Sequence, residues 1–284
     1  MKKIKLRKIK HSNQAVAGII VAMLLIGLFF TALGFVQSVY VPQWMEKKEA
    51  EHMDDVVNQF SQLKFAIDTI GVTKQKNSII STSVTLGSRE MPFLSSIRAY
   101  GSLEIEPNEG KIFFTHGLNN KETSFSLGRI QYSSQNGYHV NQKYIYENGG
   151  VILSQNKGDS IIIQPSFSVE NSGNLYFNIV KLIPLGDKTS AGGYGTYPIQ
   201  TKFLDSDTHN LYNLKEMKII SNYQNAWRKY LSNCLSDYSI VHTITDETDG
   251  SGNVIGFKII FDSPASIEIN KIDISCQISP GWVK

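Results

Sequence analysis

Residues 15–41 read AVAGIIVAMLLIGLFFTALGFVQSVYV. No Asp, Glu, Lys or Arg occurs between Lys10 and Glu46. A helix that crosses a bilayer needs about 20 apolar residues, and Val16 to Val36 supplies them. The chain therefore states where it sits more clearly than which molecule it touches.

Working outward, Lys2, Lys3, Lys5, Arg7, Lys8 and Lys10 stand ahead of the run. Beyond it, Glu46 to Glu51 reads EKKEAE, whose charges nearly cancel. Basic residues beside a spanning segment stay in the cytoplasm. This predicts the N-terminus inside and everything after Val41 outside. The same six residues explain the net charge. The 284 residues carry 28 basic and 25 acidic groups, a balance of +3; without the six, 22 face 25 and the remainder stands at −3. The basic balance belongs to the leader, so a nucleic-acid surface is not expected. The roughly 240 residues beyond the membrane run suffice for one large or two small domains.

Three fates are open to such an N-terminus. It is a secretory signal cut after Ala32-Leu33-Gly34, an uncut signal anchor, or a leader cut ahead of the apolar helix. Apolar character that continues through Phe35, Val36, Val39 and Val41 argues against the first. A basic leader, then Gln14-Ala15-Val16-Ala17-Gly18-Ile19-Ile20, then an aliphatic helix that runs straight into an amphipathic one, resembles the N-terminus of archaeal type IV pilin-like proteins. The resemblance is strongest over residues 8–70. It implies the third fate: a prepilin peptidase-like enzyme cuts near Ala15 and Val16. The helix left on the mature protein would then associate with itself or with other pilin-like subunits. Two positions depart from the pattern. Gln14 stands where a basic residue is usual, and Ile20 where many bacterial pilins carry a carboxylate.

Within the run, Gly27, Thr31, Gly34 and Ser38 share one helical face. Small residues on one stripe let helices approach closely in lipid, although membrane helices are rich in Gly in any case. Tyr40 and Trp44 suit the aromatic belt at a membrane surface. Pro42 is expected to kink or interrupt the helix. From Glu46 to Ile70 helix resumes, with Met53, Val56, Val57, Phe60, Leu63, Ile67 and Ile70 at three- and four-residue steps. That stripe is expected to bury against the chain's own β-domain, with neighbouring subunits the other option. Gly71 is the expected stop. Val16 to Ile70 would form a stem about 80 Å long.

After Gly71 the period changes to two. Strands are expected at 79–86, 101–106, 111–115, 129–133, 143–146, 151–154, 160–169, 175–185, 215–220, 239–245, 254–261 and 266–278, with hairpin turns at Pro107–Gly110, Asn148–Gly150 and Glu170–Asn174. Asn222 to Leu235 reads as one helix, capped by Ser221 and packed through Tyr223, Ala226, Trp227, Tyr230, Leu231 and Cys234. TSAGGYGTY at 189–197 reads as an exposed loop and the best subdomain boundary. The expected fold class is α+β: a long N-terminal transmembrane and stem helix, then a mainly antiparallel β-sandwich with one packed helix. The expected divisions are a leader at 1–15, helix and stem at 16–72, a β-rich part at 73–195 and a second at 196–284.

The search for chemistry returns little. No phosphate-cradling loop, zinc spacing or G-x-S-x-G elbow occurs, and the six histidines are scattered. No enzyme activity, cofactor or metal is expected. DETDGSGN at 246–253 offers oxygen ligands for a hard cation but reads more simply as a polar turn; Asp205–His209 likewise reads as a turn. Cys234 and Cys276 form either one disulfide or two separate buried small hydrophobes. The function expected is that of a single-pass cell-surface structural protein, a pilin-like filament subunit. The alternative is a non-polymerising, membrane-anchored β-sandwich that binds a surface ligand such as a glycan.

Overall fold

The computed structural model describes residues 13–76, 78–88, 99–170 and 173–278, with the backbone alone at 13–16. The leader residues 1–12, and Asn171 and Ser172 of one expected turn, lie outside the described residues. Among the described residues, one long N-terminal helix with an apolar first part leads into a β-rich body that carries one further helix, the α+β arrangement expected.

The long helix comprises α1 (Asn13–Phe35) and α2 (Val41–Thr73), joined by a π-helical turn at Val36–Tyr40. Pro42 does not interrupt it. Proline has no N–H and its ring crowds the carbonyl four residues back. The wider π turn just before it takes up the mismatch, with the Val41 N–H bonded to the Val36 carbonyl. Ala17–Thr73 is thus one helix of 57 residues, about 85 Å long. Gly71 does not end it either. Lys74 takes the left-handed cap conformation at φ 49° and bonds back to Ile70. A Cβ on Gly71 would lie 3.0 Å from Ile272 Cδ1, so this glycine lets helix and sheet approach.

The body is one twelve-stranded sheet: β1 (Ile79–Thr85), β2 (Tyr100–His116), β3 (Lys121–Gln135), β4 (Lys143–Glu147), β5 (Gly150–Gln155), β6 (Gly158–Ile163), β7 (Phe167–Val169), β8 (Asn174–Pro184), β9 (Ser190–Gly193), β10 (Thr196–Ile220), β11 (His242–Thr248) and β12 (Val254–Ile278). The main order is β6-β5-β4-β3-β2-β10-β12-β8-β7, antiparallel except where β8 runs parallel to β12. The sheet folds back until β3 meets β8: a Cβ on Gly128 would lie 2.8 Å from the Leu182 carbonyl oxygen.

Two cores result. One lies under α2 and gathers Met53, Val56, Phe60, Leu63, Ile67 and Ile70 with Tyr144, Tyr146 and Ile274. The other lies under α3 (Gln224–Asp237) and gathers Trp227 and Leu231 with Phe114, Phe177 and Phe257. Alternation along β4 serves both, since Tyr144 and Tyr146 join the first core and Ile145 the second. The stripe read at 46–70 is therefore buried against the chain's own β-body, as expected.

Several expected breaks are bulges inside long strands. Pro107–Gly110 is no hairpin. β2 runs through it, with Pro107 opposite Gly128 and Lys111 opposite Ser126, so two extra residues bulge out. The true turn follows at Gly117–Asn120, where Gly117 and Asn120 have positive φ. The strands expected at 254–261 and 266–278 are one, β12, and Pro264 falls where its pairing with β10 slips. Residues 205–209 lie within β10 rather than in a turn, and 160–169 is two strands, β6 and β7. The TSAGGYGTY stretch is not a loop: β9 pairs with β2 at its edge, and β10 begins at Thr196. Strands from both sides of residue 195 share one sheet and both cores.

Candidate functional site

The feature that sets this chain apart is the contrast along its long helix. α1 has no charged residue, and none of its described side chains is buried. Leu24, Leu28 and Phe30 are each more than 60% exposed. A helix that is apolar all round belongs in a core or a membrane, and the body supplies no core for this one: its most apolar 18-residue window has none of its residues buried.

Gly27, Thr31, Gly34 and Ser38 do fall along this naked helix. Nothing lies within 4 Å of a Cβ built on Gly27 or Gly34. The Thr31 hydroxyl donates to the Leu28 carbonyl at 2.8 Å and the Ser38 hydroxyl to that of Phe35 at 3.4 Å. Both polar groups are thus returned to their own helix, leaving a smooth strip. Ser38 lies in the π turn. Ala15 and Val16, the expected cleavage positions, lie in the first turn of α1.

At the junction the environment changes within two turns. Phe35, Tyr40 and Trp44 form a ladder of rings, with centroids 5.7 and 6.3 Å apart. Val41 and Met45, each one residue on from Tyr40 and Trp44, are already buried. One turn further, the fully buried Glu49 carboxylate accepts three backbone N–H bonds from the β3–β4 loop: Gly137 at 3.0 Å, Tyr138 at 2.8 Å and His139 at 2.6 Å. Charge-assisted bonds of this kind are the strong ones. Higher up, His52 Nε2 lies 3.2 Å from the Tyr132 hydroxyl, which donates to the Leu86 carbonyl. Burial lowers the proton affinity of His52 and keeps it neutral. Sequence reading missed Glu49 because a glutamate in EKKEAE looks like one more solvated charge; only the distant loop gives it a role.

A second polar cluster lies under α3. Glu147 is fully buried and its Oε1 accepts from the Trp227 indole at 2.7 Å and the Ser221 hydroxyl at 2.8 Å. Desolvation pushes its carboxyl above the usual range, partly offset by those bonds and by the Arg129 charge. Arg129 pairs with Glu106 and stacks 5.4 Å from the Tyr223 ring centre. The Ser221 Oγ also accepts from the Tyr223 N–H at 3.1 Å, but α3 begins at Gln224 with Tyr223 at its N-cap and no side-chain cap bond, so Ser221 precedes the helix rather than capping it. These contacts fix a helix to a sheet.

Other expected sites are accounted for locally. Asp249 turns its carboxylate inward, accepting from the Ser251 and Asn253 N–H groups and the Asn253 amide, and Asp246 pairs with Arg228. Among the described residues no group of three His, Cys, Asp or Glu is placed to hold a metal. Cys234 and Cys276 are free. The disulfide option does not hold, because Cys234 packs on the α3 core and Cys276 in the α2 core. Burial pushes the Cys276 thiol up to about 12.

No curated protein and no solved structure matches the chain. A family of unknown function, DUF7289, matches residues 14–256, from the first turn of α1 into β12. The match takes in the naked helix and most of the body together, and the chain belongs to the DUF7289 family.

Proposed function

We propose that this is a single-pass cell-surface protein whose α1 crosses the membrane with the N-terminus in the cytoplasm and the β-body outside, and that it serves as a pilin-like structural subunit of a surface filament, one of its minor or tip components. The observation that carries this reading is the division of one 57-residue helix into a naked apolar part and a part seated in the body. Such an element offers neighbours a bare helix while the body folds without them. The small strip at Gly27, Thr31 and Gly34 gives a neighbouring helix room to approach. A prepilin peptidase-like enzyme would free the helix by cutting near Ala15 and Val16. The resemblance of the N-terminal region to archaeal type IV pilin-like proteins supports this, and the leader charges support the orientation.

A second reading has its own observation. Tyr100 and Tyr194 are both partly exposed and meet edge to face at 5.6 Å beside the β9 edge. A Cβ on Gly192 would lie 2.5 Å from the Tyr100 hydroxyl, so the glycine makes room for the ring. Such rings suit a sugar face, and an anchored, non-polymerising glycan binder would use them. N-terminal sequencing of the native protein separates the two. A mature N-terminus near Val16 is expected of the filament subunit; an intact Met1 leader would overturn that reading in favour of the anchor.

A further inference from the structure

The body does not hang free on the stem; it reaches down to the end of the apolar run. Val41 closes the apolar run and is only 5% exposed, and Met45 is fully buried. Glu49 then fixes a loop at this same level. Side chains on a helix lean towards its N-terminus, so a carboxylate at 49 sits over the turn before it, near Met45. Met45 is four residues past Val41, about 6 Å along the axis. The loop backbone that Glu49 binds, 137–139, therefore stands at the level of Met45, about one turn past the end of the apolar run.

The loop is built to present two side chains. Three bonds hold its shape: the Asn136 N–H donates to Asn141 Oδ1 at 2.6 Å, the Asn136 amide N–H to the Val140 carbonyl at 2.9 Å, and the Ser134 hydroxyl to the Gln142 carbonyl at 3.0 Å. Tyr138 and Val140 project from this frame, 37% and 53% exposed. Residues 136–143 carry no acidic group and end on an exposed lysine, Lys143. An amphipathic ring, an apolar side chain and a cation on a rigid base are what a headgroup region accepts.

We propose that the β3–β4 loop is a membrane foot: Tyr138 and Val140 enter the headgroup region of the bilayer that α1 crosses, and with α1 they fix how the body stands. The proposal rests on the reading of α1 as a spanning helix. The occupant is the lipid surface rather than a protein, because the loop is continuous with the end of the spanning run and Glu49 sets it at that height. With two attachments, helix and foot, the body loses the freedom to swing about the junction.

The test uses the full chain in vesicles of phosphatidylcholine and phosphatidylglycerol, with Cys234→Ser and Cys276→Ala as background. Nitroxide labels are placed singly at Leu25→Cys in α1, Val140→Cys in the foot and Leu118→Cys. Leu118 is 90% exposed in the β2–β3 turn, at the far end of a 15-residue strand from the foot, up to about 50 Å away. Accessibility to oxygen and to a water-soluble nickel complex gives the depth of each label. We expect Leu25 deep, Leu118 aqueous, and Val140 several-fold less open to nickel than Leu118. Leu25 deep with Val140 as open as Leu118 would overturn the foot alone. Leu25 open to nickel would overturn the spanning reading, and the foot with it. Glu49→Ala is the second variant: it should release the Val140 label into water while Leu25 stays deep, and a label that stays shielded would contradict the role given to Glu49.

Discussion

α1 and α2 are halves of one helix with opposite surroundings. In α1 the residues are apolar on all sides and none of those described is buried; in α2 an apolar stripe is buried and the remaining faces are mostly polar, Phe65 and Val72 being exposed apolar exceptions. The backbone hardly distinguishes them, since only one π turn separates the two. The distribution of side chains around the axis does. A one-sided stripe specifies a protein partner, and α2 has its partner in the body. An all-round apolar surface specifies a solvent, and water is the wrong one: exposed apolar area costs about 25 cal/mol per Å².

Substitutions can break this contrast, and the largest effect is expected in α2. Phe60 is fully buried, and Phe60→Ala should destabilise the body by about 4 kcal/mol through lost burial and the cavity left. Phe30→Ala in α1 should leave the body's melting temperature in detergent unchanged. Equal losses from both would show that α1 packs on the body. Next comes Glu49→Ala, which strands three backbone donors; about 3 kcal/mol is expected, read by urea unfolding, with hydrogen exchange rising at Gly137–His139 first.

Smaller and pH-dependent is Glu147→Gln. Desolvation raises the folded-state pKa of Glu147 above its unfolded value. Its protonated form therefore contributes stability below the unfolded pKa, and that contribution is lost as pH rises through the folded one. Gln cannot titrate. The advantage of the native protein over the variant should thus shrink from acid to neutral pH, followed as urea midpoints across a pH series. An advantage that grows with pH would contradict the assignment. The smallest effect on the body is expected from Gly27→Leu with Gly34→Leu. Insertion and body stability should be unchanged, because Leu favours membrane helices, while surface filaments should disappear. Undiminished filaments would identify the stripe as ordinary membrane-helix composition.

Much of this contrast was legible in the sequence, because the helix announces itself through local pattern. The apolar run, the 46–70 stripe and the packed face of α3 are all periodicities that one segment carries by itself. The strands were legible as extended segments and misread in their connections. Pro107-Asn108-Glu109-Gly110 has every residue type of a turn, yet Pro107 and Lys111 stay in register with β3 on either side of it, and the chain bulges instead. Pro264 misleads in the same way inside β12. Turn residues specify backbone angles, which a bulge shares with a hairpin. Which one forms depends on pairing with a strand far along the chain. Glu49 and Glu147 were illegible for a related reason: a glutamate becomes structural only through donors 74 to 90 residues away.

The central claim is that α1 crosses a membrane and leaves the body outside. Leu118→Cys, in a background of Cys234→Ser and Cys276→Ala, places one thiol at a 90% exposed position of the β2–β3 turn. The measurement is its labelling in living cells by a membrane-impermeant maleimide. Full labelling of intact cells, unchanged on lysis, is the expected result. Labelling that appears only after lysis would put the body in the cytoplasm and contradict the account.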